Sequence, residues 1–178
     1  MPVDTTSRDT AVVTFRPRPS RGGAWLVAFA VGIVVLMVAP LLPVAGEIPL
    51  ALLLVNVGIG LLFAIPLLVL AAWIPTMRYE LDDQALTLRY GPILRYRIPL
   101  EDIQEMRRKN LKISLWSSMR FPGLALFTVP YADEGRVKMC ATATADRILL
   151  IDTPRGTYGV TPADEEAFVA AVRARIGV

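Results

Sequence analysis

Along this chain the apolar positions first run together and then alternate with polar ones. Between residues 22 and 77 the only charged side chain is Glu47. Inside that stretch, residues 24–42 form one apolar run and residues 50–74 a second. At ~1.5 Å rise per residue, about 20 apolar residues cross a ~30 Å hydrocarbon layer. Each run therefore predicts a membrane-spanning helix, and residues 42–49 predict the turn between them. Pro40 and Pro43 mark the exit of the first span, because proline is best tolerated near a helix end; Pro66 predicts a kink in the second. Trp25 and Trp73 lie at the same-side ends of the hairpin, where an indole suits the headgroup level. Ala28 and Gly32 are four apart, as are Asn56 and Gly60. Such spacing predicts close helix packing, with the Asn56 amide finding a partner across the interface. A secretory signal peptide is the rival reading of the first run. It would be followed by soluble sequence, whereas here a second apolar run follows.

After Thr76 the period becomes two. Met77, Tyr79 and Leu81 alternate with polar residues, as do Leu86, Leu88 and Tyr90, and then Leu94, Tyr96 and Ile98. With turns at Asp82-Asp83-Gln84 and Gly91-Pro92, these predict a three-stranded antiparallel meander. A fourth strand is predicted over 103–109, an irregular stretch over 110–135, and three further strands over 136–143, 147–152 and 156–160. The last segment predicts a helix with Thr161 as N-cap, Pro162 at N1 and Asp164 at N3. Its apolar stripe is Phe168, Val169, Val172 and Ile176, and Gly177 suits its end. The tail, residues 1–21, is polar and without periodicity, and is expected to be disordered. The chain thus divides into that tail, a hairpin over 22–75 and a domain over 76–178. The fold class is α+β. Seven strands and a helix suit a bent antiparallel barrel or sandwich, the helix closing one end with Phe168 and Val172 inward.

The strand order, the segment Arg120-Phe121-Pro122-Gly123-Leu124-Ala125-Leu126-Phe127, and the ending from Gly156-Thr157-Tyr158-Gly159-Val160 through Thr161-Pro162-Ala163-Asp164 to Phe168 resemble the bacterial pleckstrin-homology-like (PH) domains. They look most like those attached to a short membrane hairpin. The resemblance implies the seven-strand-plus-helix fold and a binding or assembly role rather than an activity. Relatives that hold inositol phosphates use basic residues in the first strand-to-strand loop. The equivalent turn here, Asp82-Asp83-Gln84, is acidic and repels phosphate, so no pocket of that kind is expected.

Charge and chemistry refine this picture. The chain has 54% apolar and 20% charged residues, against about 25% charged in a soluble domain. Basic residues flank the outer ends of both spans and are absent from the turn, which places both termini in the cytoplasm of a bacterial inner membrane. A net charge of +3 provides no broad basic field, so nucleic acid is not expected as a partner. With no histidine and a single cysteine, common zinc sites, a disulfide framework and His-based triads are excluded. Cys140 reads as a small buried hydrophobe. The paired acids fall in turns or a helix first turn. No cofactor and no catalysis are expected.

The densest basic cluster is Arg107, Arg108, Lys109, Lys112 and Arg120, interleaved with Trp116 and Phe121. One reading lays this loop on anionic lipid headgroups of the inner leaflet. The other, which is preferred, makes it a solvated strand face with Trp116 packed on the domain. The function expected is a membrane-anchored scaffold, recruiting a protein partner or a second copy of itself, or sensing the leaflet. An accessory subunit of a membrane transport or envelope-biogenesis complex is the alternative.

Overall fold

The computed structural model of the chain describes residues 12–44, 46, 48–113 and 120–177. Its elements are, in order, β1 (Val13–Phe15), α1 (Gly22–Val38), α2 (Leu50–Trp73), β2 (Arg78–Leu81), β3 (Ala85–Tyr90), β4 (Leu94–Pro99), β5 (Glu105–Lys109), β6 (Arg120–Phe121), β7 (Leu124–Tyr131), β8 (Gly135–Ala141), β9 (Ile148–Thr153), β10 (Gly156–Val160) and α3 (Glu165–Ile176).

The two apolar runs form the helices their composition predicts. Both stretches, Gly22–Pro43 and Leu50–Thr76, are long and apolar enough to cross a membrane. Their large side chains stay largely uncovered: Leu36 is 68% and Leu62 67% exposed. A continuous apolar surface of that size needs lipid or another apolar surface against it. Between the helices lie Ala30, Gly60 and Ala64, all buried. A Cβ on Gly60 would sit 3.5 Å from Met37, so the two backbones approach closely there. The expected small-residue pair Ala28 and Gly32 is not on this face; both are exposed. Asn56 does not reach across either. Its Nδ2 donates to the Leu52 carbonyl of its own helix at 2.9 Å, since a one-turn reach costs less ordering than a cross-helix bond. Pro66 lies inside α2, and α1 runs on into a 3₁₀ turn, Ala39–Val44, that contains Pro43. Glu47 lies outside the described residues.

The domain is two packed sheets, of order β1-β2-β3-β4 and β5-β9-β10-β8-β7-β6, with α3 against them. The sheets do not close into one barrel. Their main core is shared by Tyr79, Leu86, Leu88 and Tyr90 from the first sheet, Leu124, Leu149, Ile151 and Val160 from the second, and Phe168 and Val172 from α3. A second cluster lies on the opposite face of the six-stranded sheet, around Val129, Val137, Met139 and Ile148. It is covered because the chain beyond β5 reaches back over it. The Leu111 amide donates to the Ala145 carbonyl at 2.8 Å, and Ile113 bridges to Tyr131.

Four expectations are corrected. Residues 13–15, expected to be part of a disordered tail, form β1, which pairs antiparallel with β2, Phe15 meeting Phe168 edge-on at 5.2 Å. Three residues are too few to display a period. Second, β7, the longest strand, occupies part of the stretch expected to be irregular. Third, the second sheet is mixed, not antiparallel throughout. The β9–β10 hairpin folds back so that β10 lies parallel to β8. Fourth, the cap of α3 is Asp164, whose Oδ1 accepts from the Ala167 amide at 2.9 Å. The Thr161 hydroxyl is engaged instead by the Thr142 amide at 2.8 Å. Gly177 ends the helix in the left-handed region, as expected.

Candidate functional site

Helices and domain are built into one another. Leu26, one turn into α1, is fully buried in the main core, and Leu67, Leu70, Ala71 and Trp73 from α2, with Ile74 just after it, pack against the same cluster. The Tyr90 hydroxyl donates to the Leu70 carbonyl, and burial drives this phenol well above its ordinary range. The Gly91 amide donates to Thr76 Oγ1 at 2.9 Å, and that hydroxyl donates to the Trp73 carbonyl at 2.7 Å. Gly91 has φ +51°, and a Cβ there would lie 2.9 Å from the Trp73 ring. Trp73 is thus half-buried against the β3–β4 turn as well as at a helix end. On the other side, Ser20 Oγ donates to the Gly123 carbonyl at 2.7 Å, joining the start of α1 to the β6–β7 turn.

The basic residues singled out in the sequence do not form one patch. Arg107 and Lys109 share a face of β5 and converge on one carboxylate. Arg107 holds Glu134 through Nη1 and Nη2, at 2.8 and 2.7 Å, and its Nε donates to Asp152 at 2.7 Å. Lys109 donates to Glu134 at 2.5 Å and lies 3.2 Å from Asp133. These hydrogen bonds, Arg107's foremost, hold the Glu134 carboxyl down at about 2. The same bonds raise Arg107 and Lys109. Arg108, on the other face of β5, pairs with Glu165 at the start of α3 at 2.7 Å. Two cations against three acids, plus one closed pair, leave little free positive charge. Lys112 is exposed, its backbone amide donating to Asp133 at 3.0 Å. Arg120 and Phe121 sit in β6, at the far edge of the six-stranded sheet from β5, with Phe121 half-buried on the main core. Trp116 lies outside the described residues.

The structure gathers a different set of cations. On the outer face of the four-stranded sheet, Arg78 is directly opposite Arg89, and Arg89 opposite Arg95. Phe15 faces the core opposite Tyr79, so Arg16, next along, falls on the outer face beside Arg78; both line one groove. Among the described residues one carboxylate touches this row. Glu80 lies 2.7 Å from Arg78 and 3.4 Å from Arg89. Arg78 follows Thr76 by two residues and Arg89 precedes Gly91 by two, so the row lies just beyond the helix ends. Sequence reasoning used these arginines only to orient the hairpin. The signal available was their register, fixed by two short turns.

A third feature is a groove of about 560 Å³ between β5 and α3, lined by Met106, Leu149, Val169 and Ala170 and spanned by the Arg108–Glu165 pair. Among the described residues β5 is an edge strand, paired with β9 on one side. Cys140 is buried, its thiol pushed up to about 12 by desolvation, so it stays a protonated, unreactive side chain.

Residues 77–176 match a family model described as a bacterial PH domain. The match covers more than half of the chain, which belongs to that family. No curated protein and no solved structure matches the chain.

Proposed function

We propose that this bacterial PH domain protein is a membrane-anchored, non-catalytic module that recruits a protein partner at the cytoplasmic face of the inner membrane. The observation that carries it is the shared core of hairpin and domain. With Leu26 buried among domain residues and Leu70 held by Tyr90, the domain is displayed in one orientation rather than on a flexible leash. Both junctions with the helices carry arginines, Arg16, Arg18 and Arg21 before α1 and Arg78 after α2, a positive-inside bias that supports a cytoplasmic domain. The partner segment adds to the free edge of β5 and rests its side chains on Val169 and Ala170. The test is in-cell photocrosslinking of the full-length protein from position 106, then affinity capture in mild detergent. A discrete protein adduct is expected, lost in Ala170→Arg. The same adduct in Ala170→Arg, or none in either, counts against the reading.

A second reading, an accessory subunit of a transport or envelope-biogenesis complex, is favoured by one observation. Ala28 and Gly32 turn away from α2 and line an apolar groove of about 350 Å³ with Trp25 and Phe29. Small residues admit a close-packed helix. A stoichiometric integral-membrane partner lost in Gly32→Leu would support that reading, and one that survives the substitution would not.

A further inference from the structure

We infer that the arginine row on the outer face of the four-stranded sheet is a docking surface for anionic phospholipid headgroups of the leaflet the hairpin enters. The inference rests on the membrane reading above and assigns a ligand to a face that reading leaves unused. Arg78, Arg89 and Arg95 stand in register on adjacent strands, which places neighbours about 5 Å apart, and Arg16, one residue beyond β1, lines a groove with Arg78. Arg95 and Arg16 are exposed, as is Arg78. Glu80 is shared between Arg78 and Arg89, so at least two of the row's charges have no carboxylate among the described residues. Two further features orient the row. Its neighbours toward the helices are Thr76 and Gly91, which are hydrogen-bonded to each other and to the end of α2. The groove beside it, about 620 Å³ and lined by Arg16, Arg18 and Arg78, opens against Ile74, the last residue of the apolar run, and Pro75 after it. A phosphate at headgroup depth would therefore meet guanidinium groups without the domain moving. Guanidinium forks match phosphate oxygens geometrically as well as by charge.

The β5 cluster, by contrast, spends its cations on Glu134, Asp152 and Glu165 and serves as the internal control. Full-length protein is placed in nanodiscs of phosphatidylcholine with a minor share of phosphatidylglycerol, and the lipids retained on stepwise delipidation are measured by mass spectrometry. Near such a surface each basic residue shifts a partition ratio about fivefold. Wild type is expected to enrich phosphatidylglycerol. R78Q/R89Q/R95Q should cut that enrichment about tenfold or more, and R107Q/R108Q/K109Q should leave it unchanged. No enrichment in wild type, enrichment kept by the row variant, or enrichment lost by the control variant would each overturn the proposal. So would displacement by excess inorganic phosphate, which would make the surface a site for free anions rather than lipid. Resistance to carbonate extraction is read separately. A protein that is extracted sinks the membrane anchor itself, whereas one that stays inserted without enrichment sinks only the arginine row.

Discussion

Two regions of this protein are rich in basic residues and have opposite fates. In β5 three cations stand consecutively in sequence and are quenched in space. Arg107 and Lys109 close on Glu134, and Arg108 on Glu165. Across β1 to β4, single arginines scattered through some 80 residues line up on one face, with Glu80 the one carboxylate touching them among the described residues. What decides the fate is the strand opposite. The β7–β8 turn brings Asp133 and Glu134 to β5, while the meander puts arginine opposite arginine. Like charges facing each other across a sheet are unfavourable. A sequence that keeps three of them in register accepts that cost, which a bound anion would remove.

The comparison has meaning only if the row is held at the helix ends, so the largest effect should come from the joint. Leu26→Ala removes a side chain that is fully buried among domain residues. Leu→Ala in a packed core costs about 2–5 kcal/mol. In detergent the variant should melt several degrees lower, and a distance between spin labels on α1 and on β7 should broaden. A narrow distance distribution at wild-type stability would show that helices and domain are only loosely associated.

Next comes the network on β5. In Glu134→Gln, Arg107 and Lys109 lose their shared carboxylate, and Arg107 keeps only Asp152. Breaking a half-buried charged hydrogen bond costs about 1–3 kcal/mol, and partial exposure of Arg107 favours the lower part of that range. Chemical denaturation of the detergent-solubilised protein measures it. The charge released should also give β5 an affinity for anionic vesicles that wild-type β5 lacks. If stability is unchanged, the short contacts there contribute little, and the contrast between the two regions weakens.

The same network has a pH signature. The Glu134 carboxyl lies at about 2 in the folded protein against 4.5 ordinarily. A depressed carboxyl binds its proton more weakly folded than unfolded. Its contribution is fully present above pH 4.5 and is lost as pH falls toward 2. Wild type should therefore lose more stability between those limits than Glu134→Gln, by about 1 kcal/mol after allowance for solvent screening. Parallel pH profiles for the two proteins would remove Glu134 as the group responsible.

How much of this could be read from the sequence follows the same division between local and distant information. The two helices are a matter of composition, and β2 to β4 of alternation and short turns, so both were legible. β7 was not, for local reasons. Phe127 adopts a left-handed φ of +62° and Pro130 sits within the strand, so neither the alternation nor the expected punctuation survives. The α3 cap went to Asp164 because the Thr161 hydroxyl was claimed by Thr142, which follows β8 and lies 19 residues away along the chain. The pairing of the basic cluster was not legible because its acids lie 27, 45 and 57 residues away along the chain. The arginine row, by contrast, needed only the register of hairpins whose turns had been recognised. It went unread because each arginine is isolated in sequence.

The smallest stability effect is expected at Glu80. Glu80→Gln removes the one carboxylate that touches the row among the described residues. Its pairs with Arg78 and Arg89 are solvent-exposed, and exposed pairs contribute about 0–1 kcal/mol. The melting temperature should barely move. Yet the substitution uncovers two guanidinium groups at once, so anionic-lipid enrichment should rise above wild type, by about fivefold. Glu134→Gln should show the reverse balance: a clear loss of stability with little gain at the helix-proximal surface. A Glu80 variant that loses stability without binding more anionic lipid would mean that the row is a structural ladder stapled by its carboxylate, and the two basic regions would then differ in degree rather than in purpose.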